Sequence, residues 1–584
     1  MPRIIKFNND LFMEKEISVP AQKGHPKGLW VLFSTEMWER FNFYGMRAIL
    51  SLFMVNALML GESNASIIYG GFLALSYLTP LLGGFISDKY LGNRNCILLG
   101  GTLMAVGQFL LFYSATIYSS NLDLSKAIFW LALFIIIFGN GFFKPNISSM
   151  VSSLYPPAEK TKLDSAFTIF YMGINIGALL SQYFVPLIAD VKVNGVQDPT
   201  VFKWGYLMAC IAMVLGTVIF FILKDKYVRT PEGVPIGGKP NKLASQGEVV
   251  EQAKFSSKSI SIAIGLFVVL FFVFRYLLVG EFGFSSFEIG KLVKGIIYPI
   301  IYGSGISLAV LILLDSTLTK IETHRILVIY IISFFIIFFW AAFEQAGSSL
   351  TFIASNQTDR RFLFGWEMPA SMVQIFNGIF VVILAIPFSM LWDKLRKSGK
   401  EPISPMKQSF GLILIALSYF IIAYNVKDLG NNGLLAVKWL ILLYFIQTCG
   451  ELCLSPIGLS LVGKLSPKRF SSLLYGVFFI SNAAGYALAG TLGSILPATG
   501  DKFNKASELG IDLQGVLDKK VTLTAEQTQL LTTNQLPMEY PSFAGFTIHN
   551  LFEFFMVFVV LCGIAAIILF SLTPFLKKMM HGVR

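Results

Sequence analysis

The feature that most constrains this chain is a run of apolar residues, about as long as a bilayer is thick, that recurs from end to end. Stretches such as LALFIIIFG (131–139) and IYIISFFIIFFW (329–340) are continuous. Barrel strands instead alternate apolar and polar over about ten residues. Lipid offers backbone groups no water, so continuous apolar runs must become helices that satisfy their own hydrogen bonds. Composition agrees: the 584 residues are 55% hydrophobic and only 14% charged, against about 25% charged in soluble domains. The expected class is an all-α membrane protein.

At about 20 apolar residues per crossing, the chain divides into fourteen spans. Six lie near 29–56, 66–87, 95–118, 127–151, 163–189 and 204–223. Two fall near 259–280 and 295–314, and six more near 326–353, 370–392, 408–424, 435–463, 470–497 and 547–576. This gives a segment 1–28, a first six-helix bundle over 29–223, and a 224–325 linker carrying two inserted spans. A second bundle follows over 326–576, with a polar loop at 498–545 long enough for a small helix, and then a tail at 577–584.

An even span number puts both termini on one side, and Lys and Arg mark the cytoplasmic loops. Arg3, Lys6, Lys15, Lys23 and Lys27, the 224–258 loop, Lys394, Arg396, Lys397, Lys400 and Lys407, Lys464 to Arg469, and the tail (Lys577, Lys578, Arg584) all fall there. Both termini are therefore expected in the cytoplasm, and the 498–545 loop outside. The same bias explains the net charge of +12 without nucleic acid. The five cysteines show no metal spacing and read as buried thiols. No cofactor or metal is expected.

The halves resemble each other. Lys144-Pro145-Asn146 to Leu154-Tyr155-Pro156 in the fourth span has the same Pro-to-Pro distance as Ser455-Pro456-Ile457 to Leu465-Ser466-Pro467 in the tenth core span. Asp88-Lys89 to Arg94 is echoed by Asp393-Lys394 to Arg396. Duplicated six-helix halves with solute held at the midplane are a common transporter plan.

Charges at lipid depth locate the candidate site. Glu36, Glu39 and Arg40 share one helical face, and Tyr44 and Arg47 extend it. A charge at the bilayer centre costs at least about 2.5–3.5 kcal/mol, so this stripe must face partners or a polar cavity. Lys144, Glu344 and Glu451 lie at similar depth in the fourth, seventh and tenth core spans. With Arg47, these three give cations (Arg47, Lys144) in the first half and carboxylates (Glu344, Glu451) in the second, which suits a small zwitterion. Arg275, in an inserted span, reads instead as a snorkelling or pore-lining group. Tyr77, Tyr171, Asn175, Asn377 and Phe478 add aromatic and amide groups to the same spans, where interhelical hydrogen bonds are equally expected.

These residues carry a resemblance. Glu36-Met37-Trp38-Glu39-Arg40-Phe41-Asn42-Phe43-Tyr44-Gly45 is similar to the ExxERFxYYG signature of the proton-dependent oligopeptide transporters of the major facilitator superfamily. Phe170 to Gly177 resembles the family's FYxxINxG pattern. Gly141-Phe142-Phe143-Lys144-Pro145-Asn146 and Gly450-Glu451-Leu452-Cys453-Leu454-Ser455-Pro456 resemble two more. Gly83-Gly84-Phe85-Ile86-Ser87-Asp88 to Arg94 looks like the superfamily's cytoplasmic hinge motif, with Gly84, Asp88 and Arg94 its marked positions. The unmatched inserted spans are similar to the extra helix pair of bacterial members.

The resemblance implies a major facilitator fold, a bacterial inner-membrane location and symport of di- or tripeptides with protons, without enzymatic activity. It implies proton coupling through Glu36, Glu39, Arg40, Lys144 and Glu344, with Lys144 the partner of the first three and Glu344 able to pair with Arg47. Arg47 and Lys144 would hold the peptide carboxylate. Glu451, Asn175 and Asn377 would hold its amino terminus, and Tyr44, Tyr77, Tyr171 and Phe478 would line the pocket. No partner subunit is required. Two positions depart from the pattern: Asn377-Gly378 stands where Asn-Pro is usual, and Phe478 where many members have Trp. The alternatives are the same fold carrying nitrate, an amine or a drug-like molecule, or a membrane nutrient sensor. Glu451 separates peptide from anion, because a carboxylate serves an ammonium and opposes an anion.

Overall fold

The computed structural model describes residues 24–155, 162–193, 196–230, 233–239, 253, 255–284, 288–431 and 433–583. Arg3, Lys6, Lys15, Lys23, Pro156, Arg584 and positions 231–232, 240–252 and 254 of the 224–258 loop lie outside them.

The first bundle is α1 (Lys27–Asn56), α2 (Glu62–Ile86), α3 (Asn93–Ile117), α4 (Leu122–Ser153), α5 (Leu163–Ala189) and α6 (Phe202–Tyr227). The inserted pair is α7 (Ser257–Val279) and α9 (Tyr298–Leu313), with the short α8 (Ile289–Leu292) leading into α9 through a π turn at Val293–Ile297. The second bundle begins with α10 (Lys320–Phe343) and α11 (Ser349–Asn356), then α12 (Ile375–Lys397), α13 (Ser404–Val426), α14 (Val437–Leu465) and α15 (Ser471–Gly493). After α16 (Gly500–Glu508), α17 (Leu513–Leu517) and α18 (Ala525–Thr533) the chain closes with α19 (Leu551–Met579).

Among the described residues, thirteen helices are long and apolar enough to cross a membrane. The fourteenth, α1, falls short only through Glu36, Glu39, Arg40 and Arg47, and it is buried against α5 and α6. Gly177 of α5 makes that packing possible: a Cβ there would lie 2.2 Å from the Met37 carbonyl oxygen. Small residues let helices approach closely where lipid gives no hydrophobic drive. Here the approach presses α5 onto the turn that carries Arg40.

Within the first bundle α3 packs on α4 and α6, and α2 on α4. Within the second, α13 packs on α14 and α19, and α10 on α15 and α19. The inserted pair packs on itself, and α9 touches α15. The bundles meet chiefly along α2 and α15. The duplicated Pro pattern has a structural meaning. α4 and α14 both run through their first proline position and stop short of the second, as expected because the residue before a proline is pushed out of helical geometry.

Arg275 is neither snorkelling nor lining a pore. It is 3% exposed, donates to the carbonyls of Gly295 (2.9 Å), Phe282 (3.2 Å) and Gly283, and lies over the Phe284 ring. It therefore staples α7 to the start of the next inserted helix. The 498–545 stretch holds three short helices where the sequence suggested room for one. They enclose a small core of Ala506, Ile511, Leu513, Val516, Leu517, Leu531 and Leu536.

Candidate solute and proton site

The charged stripe of α1 is fully enclosed. Glu36, Glu39 and Arg40 are 2%, 0% and 5% exposed. The Arg40 Nε lies 2.8 Å from a Glu36 oxygen and 2.5 Å from a Glu39 oxygen, yet both Glu39 oxygens and Arg40 Nη2 lack an aligned hydrogen bond. One guanidinium thus faces two carboxylates in a dry setting. Such a cluster holds one negative charge too many unless a proton or a further cation joins it.

Lys144 of α4 is within electrostatic reach of all three, but it forms no ion pair within 4.0 Å with a described residue. Its ammonium sits 4.1 Å over the Tyr77 ring. The pairing implied by the resemblance is therefore not a direct contact in this conformation. Tyr77 in turn packs against Tyr486 of α15 across the bundle boundary, with ring centroids 4.7 Å apart and planes tilted by 58°.

Two helical turns beyond Arg40, Arg47 reaches the second bundle. Its Nη2 donates to Glu344, and its Nε donates to the Tyr69 hydroxyl at 2.5 Å. The side chains of Arg47 and Glu344 are 12% and 5% exposed. Glu344 is reachable because the seventh core span is broken there. α10 ends at Phe343, a 3-10 turn spans Glu344–Gly347, and Ser348 leaves helical geometry before α11. Gly347 carries its carbonyl to the Ser51 hydroxyl of α1. Gln345 braces the break by donating to Ala341 and to Ala489 of α15.

Glu451 of α14 lies on the second bundle, as Glu344 does. The Asn377 amide donates to it at 2.9 Å and to Thr448 at 3.1 Å. Tyr171 of α5, 59% exposed, lies within electrostatic reach of Glu451 from the opposite bundle. The Asn175 amide instead donates to the Tyr171 carbonyl at 2.9 Å, within its own helix. Tyr44 faces the Arg47 guanidinium at 5.8 Å. Phe478 is 5% exposed and packs where a Cβ on Gly458 would meet its ring at 2.9 Å. In this conformation it forms part of the α14–α15 packing and is not an open pocket wall.

A model of the POT family matches residues 94–509. The chain belongs to the POT family. It is 32% identical to the di-/tripeptide transporter of Lactococcus lactis subsp. cremoris over 487 residues, 81% of this chain and 90% of that one. It is equally 32% identical to the uncharacterized transporter YclF of Bacillus subtilis (strain 168) over 478 residues, 81% and 88% of the two chains. Among solved structures, the peptide transporter POT in complex with sulfate superposes with a TM-score of 0.69 at 27% identity, covering 96% of this chain and 97% of that one.

In this POT-family chain the hinge-motif residues have different surroundings. Arg94 donates to Asp225 (2.6 Å) and to the carbonyls of Lys224, Val228 and Ile236, tying α3 to the end of α6. Asp88 has no hydrogen-bond or ion-pair partner among the described residues. The tight helix contact belongs to Gly83, where a Cβ would lie 1.9 Å from the Gly141 oxygen. At Gly84 it would meet only Pro145, at 4.0 Å.

Tyr69, Tyr486, Gln345 and Ser51 are site residues that the sequence did not single out. Tyrosine and amide side chains recur on apolar spans for many reasons. Only the fold shows that these four meet Arg47, Tyr77, Ala489 and Gly347 across helix boundaries.

The hydrogen bonds and ion pairs described between the bundles gather at the end bearing the 57–61 and 494–550 loops. They include Arg47 to Glu344, Ser51 to Gly347 and Lys192 to the Ser355 carbonyl. Asn356 to Glu62 and the Asp190 carboxylate accepting from Ser371 at 2.7 Å belong to the same seam.

Proposed function

We propose that this protein is a proton-coupled symporter that imports di- and tripeptides by alternating access. The observation that carries this reading is the Arg47–Glu344 ion pair, which joins the two bundles across the site. A second carboxylate, Glu451 of α14, stands with Glu344 on the second bundle, across from Arg47 on the first. A cation and a carboxylate on facing walls suit the two ends of a peptide. The bond between bundles gives a proton something to release.

Arg47 and Lys144 bind the peptide carboxylate, and Glu451 with Asn377 and Asn175 receives the ammonium. Tyr44, Tyr77 and Tyr171 flank the chain. A proton on Glu344 removes the charge that holds Arg47, so the guanidinium is free for the peptide and the bundles are free to rock. Glu36, Glu39 and Arg40, with their surplus carboxylate, take part in the same coupling through the nearby Lys144. The seam of contacts at the loop end supports reading this conformation as closed to the outside and open inward. Both termini then face the cytoplasm of a bacterial cell, and Arg396, Lys400 and Lys407 lie on that side. The protein acts as a monomer.

One positive charge moving through about 100 mV yields about 2.3 kcal/mol, enough for roughly 50-fold accumulation. The test is dialanine uptake into proteoliposomes with and without an imposed pH gradient. Concentrative uptake only with the gradient is expected; uptake indifferent to it contradicts the coupling.

A second reading has its own support. A POT-family transporter crystallised with 5-aminolevulinic acid is 27% identical, with a TM-score of 0.68, so a small non-peptide zwitterion is the competing cargo. Competition of that acid against labelled dialanine ranks the two.

A further inference from the structure

The 498–545 segment begins and ends on α15 and α19, both in the second bundle, and its own core makes it one unit that travels with them. It is anchored to that bundle by the Gly500 amide, which donates to the Gln357 side chain at 2.9 Å. It also crosses to the first bundle at two places. Lys502 on α16 donates to Glu62, the first residue of α2, and Gln535 donates to the Met59 carbonyl in the α1–α2 turn.

Glu62 is therefore held from two directions. One carboxylate oxygen takes Lys502, and the other takes the Asn356 amide of α11 at 3.1 Å. Both donors belong to the second bundle, so rocking that parts the bundles on this side must break both bonds. The Lys502 and Glu62 side chains are 17% and 6% exposed, so water screens this pair far less than a surface pair. Burial pushes the Lys502 ammonium down, yet the Glu62 charge, its hydrogen bond and nearby Asp501 together hold it above its ordinary value. A cavity of about 360 Å³, lined among others by Asn56, Lys192, Asn356, Gln357, Asp501 and Asn504, adjoins Asn356, the second donor to Glu62.

We propose that the 498–545 segment is an added outer gate element and that Lys502 is its positioning residue in the transport cycle. Closed on Glu62, it holds the outer mouth shut while the site faces inward. The proposal rests on the alternating-access reading above, but its test needs no peptide, so the two can fail separately.

Ser66, one turn below Glu62, is fully buried where a Cβ on Gly493 of α15 would meet it at 3.0 Å. Ser66→Cys is made in a background keeping only Cys562, which is 1% exposed within α19. A membrane-impermeant maleimide is added from outside to cells, and each thiol is quantified by mass spectrometry. Lys502→Ala and, separately, Glu62→Gln should speed labelling of Ser66→Cys on the order of tenfold, with Cys562 still protected. Lys502→Arg should stay near the parent rate. Unchanged labelling at Ser66→Cys in both variants, with protein present at parent levels, overturns the proposal. Equal gains at Ser66→Cys and Cys562 also overturn it, because they report general loosening.

Discussion

The Arg47–Glu344 pair allows a prediction in which the two partners behave unequally. Both side chains are nearly dry, at 12% and 5% exposure. Removing one partner of a buried pair costs about 3–5 kcal/mol, because the other charge is stranded, whereas replacing both with apolar groups of similar volume is often close to neutral. Arg47→Met and Glu344→Leu should therefore each cost about 3–5 kcal/mol, and the double variant no more than either single. The singles should also differ with pH. Arg47→Met strands a carboxylate that a proton can neutralise, whereas Glu344→Leu strands a guanidinium that stays charged. The Tyr69 hydroxyl, which accepts from Arg47 at 2.5 Å, softens the second case without removing the charge. The assay is unfolding in detergent for all four proteins, at about pH 8 and about pH 5. The Arg47→Met deficit should shrink at the lower pH and the Glu344→Leu deficit should not. Costs that add to within about 0.5 kcal/mol in the double variant, or deficits that move together with pH, would refute the reasoning.

Other outcomes follow from the same geometry. Glu36→Gln should abolish gradient-driven accumulation while leaving peptide exchange measurable by counterflow, and full accumulation would remove Glu36 from coupling. Lys144→Ala should do the same, in this case by removing the cation that the Glu36–Glu39–Arg40 cluster senses without touching. Gly83→Ala should destabilise the protein by about 1–3 kcal/mol, because the new methyl meets backbone at 1.9 Å, whereas Gly84→Ala should be near neutral in thermal unfolding. In the α12–α13 loop, hydrogen bonding from Arg396 and then Lys407 outweighs burial and holds the Glu401 carboxyl below its ordinary value. Its folded value lies below the unfolded one, so its contribution is present above the unfolded value and is lost as pH falls through the folded one. The difference in melting temperature between the parent and Glu401→Gln should therefore begin to shrink as pH falls below the ordinary Glu value of about 4.3 and keep shrinking with further acidification.

The fold was legible because lipid allows so few solutions: continuous apolar runs meant helices, and their number and order survive in the structure. The first helix was legible for the opposite reason, since its charges fall below any hydropathy threshold yet stand on one face. The position and form of the break at Glu344–Ser348 were not legible. FEQAGSSL has no proline, and the turn there is stabilised by Gln345 reaching α15 and by Ser51 of α1, which are contacts between distant segments. The 498–545 unit was hidden for a related reason: its seven core residues are spread among polar ones and become a core only when three short helices close on one another. Phe478 shows the limit of position matching. A place in the family pattern fixed its helix, but its rotation toward Gly458 depends on packing.

The most direct test of proton-coupled peptide symport is proton movement driven by peptide alone. Proteoliposomes holding a pH-sensitive dye, with equal pH on both sides and potassium with valinomycin to clamp the voltage, are given external dialanine. The account predicts acidification of the lumen that scales with peptide entry, is absent without protein and is lost in Glu36→Gln. Dialanine entry at the parent rate with no change in lumenal pH would contradict it.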